Sequence, residues 1–203
     1  MELPRVFIGC LVDLNATRRA TELSLALRRR ALDAGWKASW VAPPALHLTL
    51  RFVGDIDPGL VSPLSSLVAR VAAEHEPPRV SLAGVSAFPT VDSPRVIYVE
   101  VQQGAEALAA IASALDDGLD GLGLPPRDRP FHPHLTLARV KHAAGPLAAI
   151  APGRSDCGFG VAHDLTLWRS DGARPNAEYP ALARAPLGVK REPAGPQGEA
   201  AKP

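Results

Sequence analysis

Apolar and polar positions alternate through the same four letters twice in this chain, at His47-Leu48-Thr49-Leu50 and at His134-Leu135-Thr136-Leu137. A period of two marks a half-buried strand, so His47 and Thr49 share one face while Leu48 and Leu50 share the other. The second copy sorts its residues the same way. Around these motifs the pattern predicts a strand over 5–12, then a helix to about residue 34 in which Leu23, Leu27 and Ala31 fall at helical spacing. Asn15 or Thr17 is its expected cap and Gly35 its end. Residues 36–41 lead through the stiff Pro43-Pro44 into the first motif strand, 47–53, which stops at Gly54-Asp55.

A helix is expected over 58–74, with Leu60, Leu64, Leu67, Val68 and Val71 along one side, until Pro77-Pro78 breaks it. Strands over 80–88 and 95–101 precede a helix over 105–119 and a loop over 125–130 that carries Arg127 and Arg129. After the second motif strand come a short helix near 145–150, strands over 157–161 and 163–169, and an edge strand over 179–187. Residues 188–203 are rich in Pro, Gly and charge without apolar periodicity, and read as a disordered tail.

The repetition reaches beyond the tetrapeptides. Arg5-Val6-Phe7-Ile8 and Arg95-Val96-Ile97-Tyr98 each open an apolar segment, followed by a helical stretch and a His-x-Thr strand. A duplicated β-α-β unit leaves such a trace, so the fold class expected is α+β. The domain is expected to be bilobal over 1–187, with an internal repeat of roughly 1–90 and 91–187 and a pseudo-twofold axis that brings both motif strands to one cleft.

Composition narrows the chemistry. With 203 residues, 46% of them hydrophobic, the chain can bury one full core. A net charge of +1 excludes a global basic field for nucleic acid, so an RNA substrate would need a local basic cleft or recognition of a chain end. The Arg28-Arg29-Arg30 cluster reads as a solvated helix turn. Cys10 and Cys157 have no metal-ligand spacing, and Cys10 reads as a small buried residue. No secretory leader or bilayer-length apolar run is visible, and the expectation is a soluble cytoplasmic protein.

Several stretches, in order, resemble the two-histidine phosphoesterases, specifically the bacterial and archaeal RNA 2',3'-cyclic phosphodiesterases formerly called 2'-5' RNA ligases. They are Arg5-Val6-Phe7-Ile8, then Trp40-Val41-x-Pro43-Pro44-x-Leu46 running into the first motif, and Phe52-Val53-Gly54. Pro133 to Arg139, Phe159-Gly160 and Leu165 to Ser170 complete the likeness. The resemblance implies two antiparallel sheets lining a central groove, with one His-x-Thr from each lobe and a metal-independent mechanism without cofactor. It implies His47 as proton donor to the leaving 3'-oxygen and His134 as acceptor of the proton from water, giving a 2'-phosphate. Thr49 and Thr136 would donate to the phosphate oxygens, and Arg139, the Arg after the second motif, would contact substrate.

The chemistry agrees without borrowing. Opening a cyclic phosphodiester needs a base for water and an acid for the departing oxygen, and imidazole serves both near neutral pH. Arg139 has the wrong strand parity for a shared face with His134 and Thr136, so a bulge or strand end must re-aim it. Arg51 has the right parity with His47 and Thr49 and is expected to reach the groove. The resemblance implies RNA ends or cyclic nucleotides as partners, and a monomer is expected to suffice, with no membrane involved. Reverse 2'-5' ligation is expected in principle. The alternatives are a phosphodiesterase for a small cyclic nucleotide, 2'-5' oligonucleotide or ADP-ribose cyclic phosphate, and a non-catalytic RNA-end-binding protein. A metal hydrolase built on His132-Pro133-His134 lacks a second ligand cluster in the sequence.

Overall fold

Strands form here where apolar residues alternate, and helices where Leu and Ala recur every three or four positions. The computed structural model describes residues 3–151, 155–170 and 179–188. Its strands are β1 (Arg5–Cys10), β2 (Lys37–Trp40), β3 (Leu48–Asp55), β4 (Arg79–Pro89), β5 (Pro94–Gln103), β6 (His134–His142), β7 (Asp156–Val161), β8 (Asp164–Arg169) and β9 (Ala181–Pro186). Its helices are α1 (Leu14–Asp33), α2 (Val61–Glu74) and α3 (Ala105–Asp120). Single 3-10 turns lie at Pro43–Ala45, Pro58–Leu60 and Leu147–Ala149; the second replaces the start of one predicted helix and the third all of the short one. Among the described residues no helix is long and apolar enough to cross a membrane.

All the pairings are antiparallel, and the strand order is β7-β4-β5-β6-β3-β1-β8-β9, with β2 paired to β6 beside β3. The two sheets that the family resemblance implied are joined into one path by a single register pair, Leu48 with Leu135. From that join outward, each half presents a motif strand and then the strand that opens its repeat. These halves do not follow the 1–90 and 91–187 division. β4 crosses to pair with β5, and β8 returns to β1, because each long apolar strand finds its antiparallel neighbour in the other part of the chain.

The helices cover the sheet on the face away from the imidazoles. α1 packs on β7, β2 and β6, α2 on β8 and β9, and α3 on β3, β5 and α2. Leu48, Leu50, Leu135 and Leu137 point into this core, each no more than 2% exposed. The start of α1 differs from expectation. Asp13 occupies the cap position, and the Thr17 hydroxyl instead donates to the Val12 and Asp13 carbonyls at 3.0 and 3.1 Å. Cys10 is a core residue, as expected, with burial pushing its thiol up to about 12. Gly188 follows β9 and donates its backbone N–H to the Ala72 carbonyl, while the rest of the predicted tail, 189–203, lies outside the described residues.

Candidate active site

The Leu48–Leu135 pair sets the geometry of the centre. Extending its antiparallel register by one residue each way places His47 across from Thr136 and Thr49 across from His134. The four polar side chains therefore share the face opposite the buried leucines. Gly9 pairs with Thr49 from the neighbouring strand, and a Cβ there would lie 2.3 Å from the Leu48 carbonyl oxygen. Only glycine lets β1 approach this closely.

Each imidazole is oriented in the same way. His47 Nδ1 lies 2.7 Å from the Ala45 carbonyl, and His134 Nδ1 lies 2.7 Å from the His132 carbonyl. A carbonyl can only accept, so Nδ1 carries the proton in both rings and Nε2 is left for chemistry. Aromatic walls fix the ring planes. Phe7 stacks on His47 at 4.9 Å, with Trp168 and Tyr179 at 5.4 and 5.6 Å. Phe88 and Tyr98 meet His134 edge-on at 5.0 and 5.1 Å, and His132 stacks on it at 6.2 Å.

Burial holds both imidazoles below their ordinary pKa, because desolvation disfavours the cation. The bonds to the Ala45 and His132 carbonyls oppose this by stabilising the protonated ring. Positive charge nearby adds to the lowering. Arg139 acts on both rings, His134 on His47, and His132 on His134. Arg139 thus lies within electrostatic reach of both rings.

A bulge explains how it gets there. Tyr98 pairs with Thr136 and Ile97 with Ala138, leaving Leu137 as an extra residue that shifts the alternation by one. Arg139 is exposed and pairs with Val96 on the groove face. β3 carries the matching bulge at Leu50, between Thr49–Gly9 and Arg51–Ile8. Here the consequence contradicts the sequence reading of Arg51. It is turned to the core side with the fully buried Ile8, is only 6% exposed, and its Nε lies 3.3 Å from Asp116 of α3. It also donates to the Pro125 carbonyl. Arg127 shares Asp116 at 2.6 Å and donates to the Leu50 carbonyl at 3.3 Å, bracing the bulge from behind.

The sequence reading also passed over Phe52. It stands five residues after His47, as Arg139 stands five after His134, and it pairs with Phe7 on the groove face. Its ring is 48% exposed with the Arg5 guanidinium 4.9 Å above it. The equal offset from each histidine was the available signal. Phe7, Trp168, Tyr98 and Phe88 were likewise missed as ring supports. His75, His142 and His163 make no contact with either motif histidine among the interactions of the described residues.

Residues 18–174 match the family model described as the 2'-5' RNA ligase superfamily. An Aeropyrum pernix protein named RNA 2',3'-cyclic phosphodiesterase is 35% identical over 117 residues, covering 58% of this chain and 65% of that protein, just under two thirds of its length. An Archaeoglobus fulgidus protein of the same name is 31% identical over 156 residues, covering 77% of this chain and 84% of its own. A crystal structure from Thermus thermophilus superposes with a TM-score of 0.78 at 26% identity, over 92% of this chain and all of that one.

Proposed function

The chain belongs to the 2'-5' RNA ligase superfamily, and from that premise we propose that it hydrolyses 2',3'-cyclic phosphate ends of RNA to 2'-phosphates. The observation that carries the reading is the pair of imidazoles on one face, each with Nδ1 engaged by a backbone carbonyl and Nε2 without a hydrogen-bond partner among the described residues.

His134 Nε2 accepts a proton from water as the oxygen forms its bond to phosphorus. The bond from phosphorus to the 3'-oxygen breaks, and that oxygen takes a proton from His47 Nε2. The product is a 2'-phosphate with a free 3'-hydroxyl, and one water is consumed. A phosphate anion in the centre raises the lowered pKa of its neighbours, so substrate itself helps His47 acquire the proton it delivers. Thr49 and Thr136 donate to the non-bridging oxygens, and Arg139 offsets their charge with a guanidinium fork. Phe52 offers its exposed ring to the terminal base. Arg51 has no part in substrate contact.

Each motif comes from the same polypeptide, so the site is complete in a monomer, and we read the protein as a cytoplasmic enzyme. The name carried by the relatives favours RNA ends over small cyclic nucleotides. The test is a short RNA ending in a 2',3'-cyclic phosphate, incubated with the protein and excess chelator and followed by mass spectrometry. Gain of one water with the product mapped as a 2'-phosphate supports the proposal. An unchanged substrate, or a 3'-phosphate product, overturns it.

A further inference from the structure

The aromatic wall of β3 has a cation beside it. Along β1 the alternation is unbroken: Val6, Ile8 and Cys10 are buried in the core, so Arg5, Phe7 and Gly9 share the groove face. Arg5 is exposed there, about 7 Å along the strand from Phe7 and about 14 Å from Gly9, the register partner of Thr49. Its guanidinium reaches Phe52, the register partner of Phe7, and lies 4.9 Å from the ring centroid. A long flexible stem is thereby fixed by the π face of the ring. Arg51 and Arg127 share the Asp116 carboxylate and Arg184 holds that of Asp164. Arg5 has no such partner among the described residues, and Asp55, opposite it in register, makes no ion pair with it. Its charge therefore stands uncompensated on the groove face, against the ring offered to the terminal base.

We propose that Arg5 is a specificity residue that contacts the phosphodiester on the 5' side of the terminal nucleotide, and so separates an RNA end from a free nucleoside 2',3'-cyclic phosphate. The inference rests on the hydrolase reading and deepens it. With the cyclic phosphate at the imidazoles and the base against the exposed part of the Phe52 ring, the 5'-carbon of the sugar carries the chain past the edge of that ring, where the guanidinium stands. A cation–π contact engages the charge of the group and leaves its in-plane N–H donors for phosphate oxygens. That neighbouring phosphate is the group a nucleoside cyclic phosphate lacks. The net charge of +1 fits this arrangement, because one contact beyond the reacting group needs a single placed cation and no basic field.

The experiment compares kcat/KM for adenosine 2',3'-cyclic phosphate with that for the same nucleotide carrying a 5'-phosphate methyl ester, which reproduces the charge of a chain phosphodiester. The wild type is expected to favour the ester about tenfold, through KM. Arg5→Gln should bring that ratio close to one with an unchanged melting curve. Arg5→Lys, which keeps the charge without the planar fork, should retain part of it. Added salt should shrink the wild-type ratio, since the contact is exposed. A ratio that persists in Arg5→Gln, an equal loss on both substrates included, overturns the assignment and leaves the contact with Phe52 as surface packing. A wild type that treats the two substrates alike overturns it as well. The hydrolase reading fails separately, if neither substrate is opened, and binding then tests Arg5 by itself. In calorimetry, adenosine 2',5'-bisphosphate should bind the wild type about tenfold more tightly than adenosine 2'-phosphate, with Arg5→Gln removing the difference. Equal affinities for the two, or no binding of either, contradict the role of Arg5 whether or not cyclic ends are hydrolysed.

Discussion

The two motif strands start alike and finish differently. β3 and β6 both begin with a His-x-Thr whose leucines are buried, and both insert one extra residue directly after the threonine. Past the bulge, β3 turns Arg51 into an ion pair beneath the sheet and leaves Phe52 on the groove. β6 turns the small Ala138 inward and leaves Arg139 on the groove. One scaffold thus yields two complementary walls: a half-exposed aromatic ring on one side of the imidazole pair, and a cation on the other. The two strands, alike through the His-x-Thr, thus differ at one groove position each, Phe52 on β3 and Arg139 on β6.

The most severe way to break the symmetry is to remove either imidazole. His47→Ala and His134→Ala should each cut turnover by at least about 10²-fold in steady-state assays of a cyclic-phosphate RNA, with circular dichroism unchanged. Near-wild-type rates in one of them would strip that residue of its role.

The two arginines sharpen the comparison. Arg139→Ala should lower kcat/KM by roughly 10- to 100-fold without altering the melting curve, because the side chain is exposed at the groove. Arg51→Met should do the reverse. It removes one of two guanidinium partners of Asp116, so urea unfolding should register a loss of about 2 kcal/mol while kcat stays near its original value. An Arg51 variant that folds normally but loses turnover would restore the groove assignment that the bulge overturned.

Phe52→Ala probes the aromatic wall. A loss of about tenfold, mostly in KM, is expected for a base that stacks there, and a smaller loss for Phe52→Tyr. The smallest effect is on pH dependence. Both imidazoles sit below the ordinary value of about 6.5, so the kcat/KM profile should be a bell whose two limbs both fall below that value. In kcat the bell should move upward, since bound phosphate raises imidazole pKa. The same shifts affect folding. Between the folded and unfolded pKa values the unfolded chain binds more protons, so stability falls as pH drops through that window and is fully present above about 6.5. His47→Asn combined with His134→Asn should flatten this dependence in pH-resolved thermal melts.

The repeat itself made much of this legible. The tetrapeptides and the matching segments at Arg5 and Arg95 located both motif strands, their burial pattern and the imidazole pair. Two kinds of information were hidden. A bulge is set by how a strand meets its neighbour, so parity along β3 pointed Arg51 the wrong way. For Arg139 the same parity exposed the conflict that a bulge resolves. Pairing between distant segments was hidden too. Lys37–Trp40 has little of a strand's local pattern and becomes β2 only because β6 offers it an edge. Phe7, Phe88, Tyr98 and Trp168, rings beside the histidines, come from β1, β4, β5 and β8, which touch the site through tertiary packing that no local window contains.

The central claim is that His47 gives a proton to the 3'-oxygen and His134 takes one from water. The most direct measurement uses a cyclic phosphate whose 3'-bridging oxygen is replaced by sulfur, a leaving group that departs as thiolate without needing an acid. The account predicts that His47→Ala recovers most of its lost rate on this substrate while His134→Ala does not. Recovery in His134→Ala instead, or in neither variant, would contradict it.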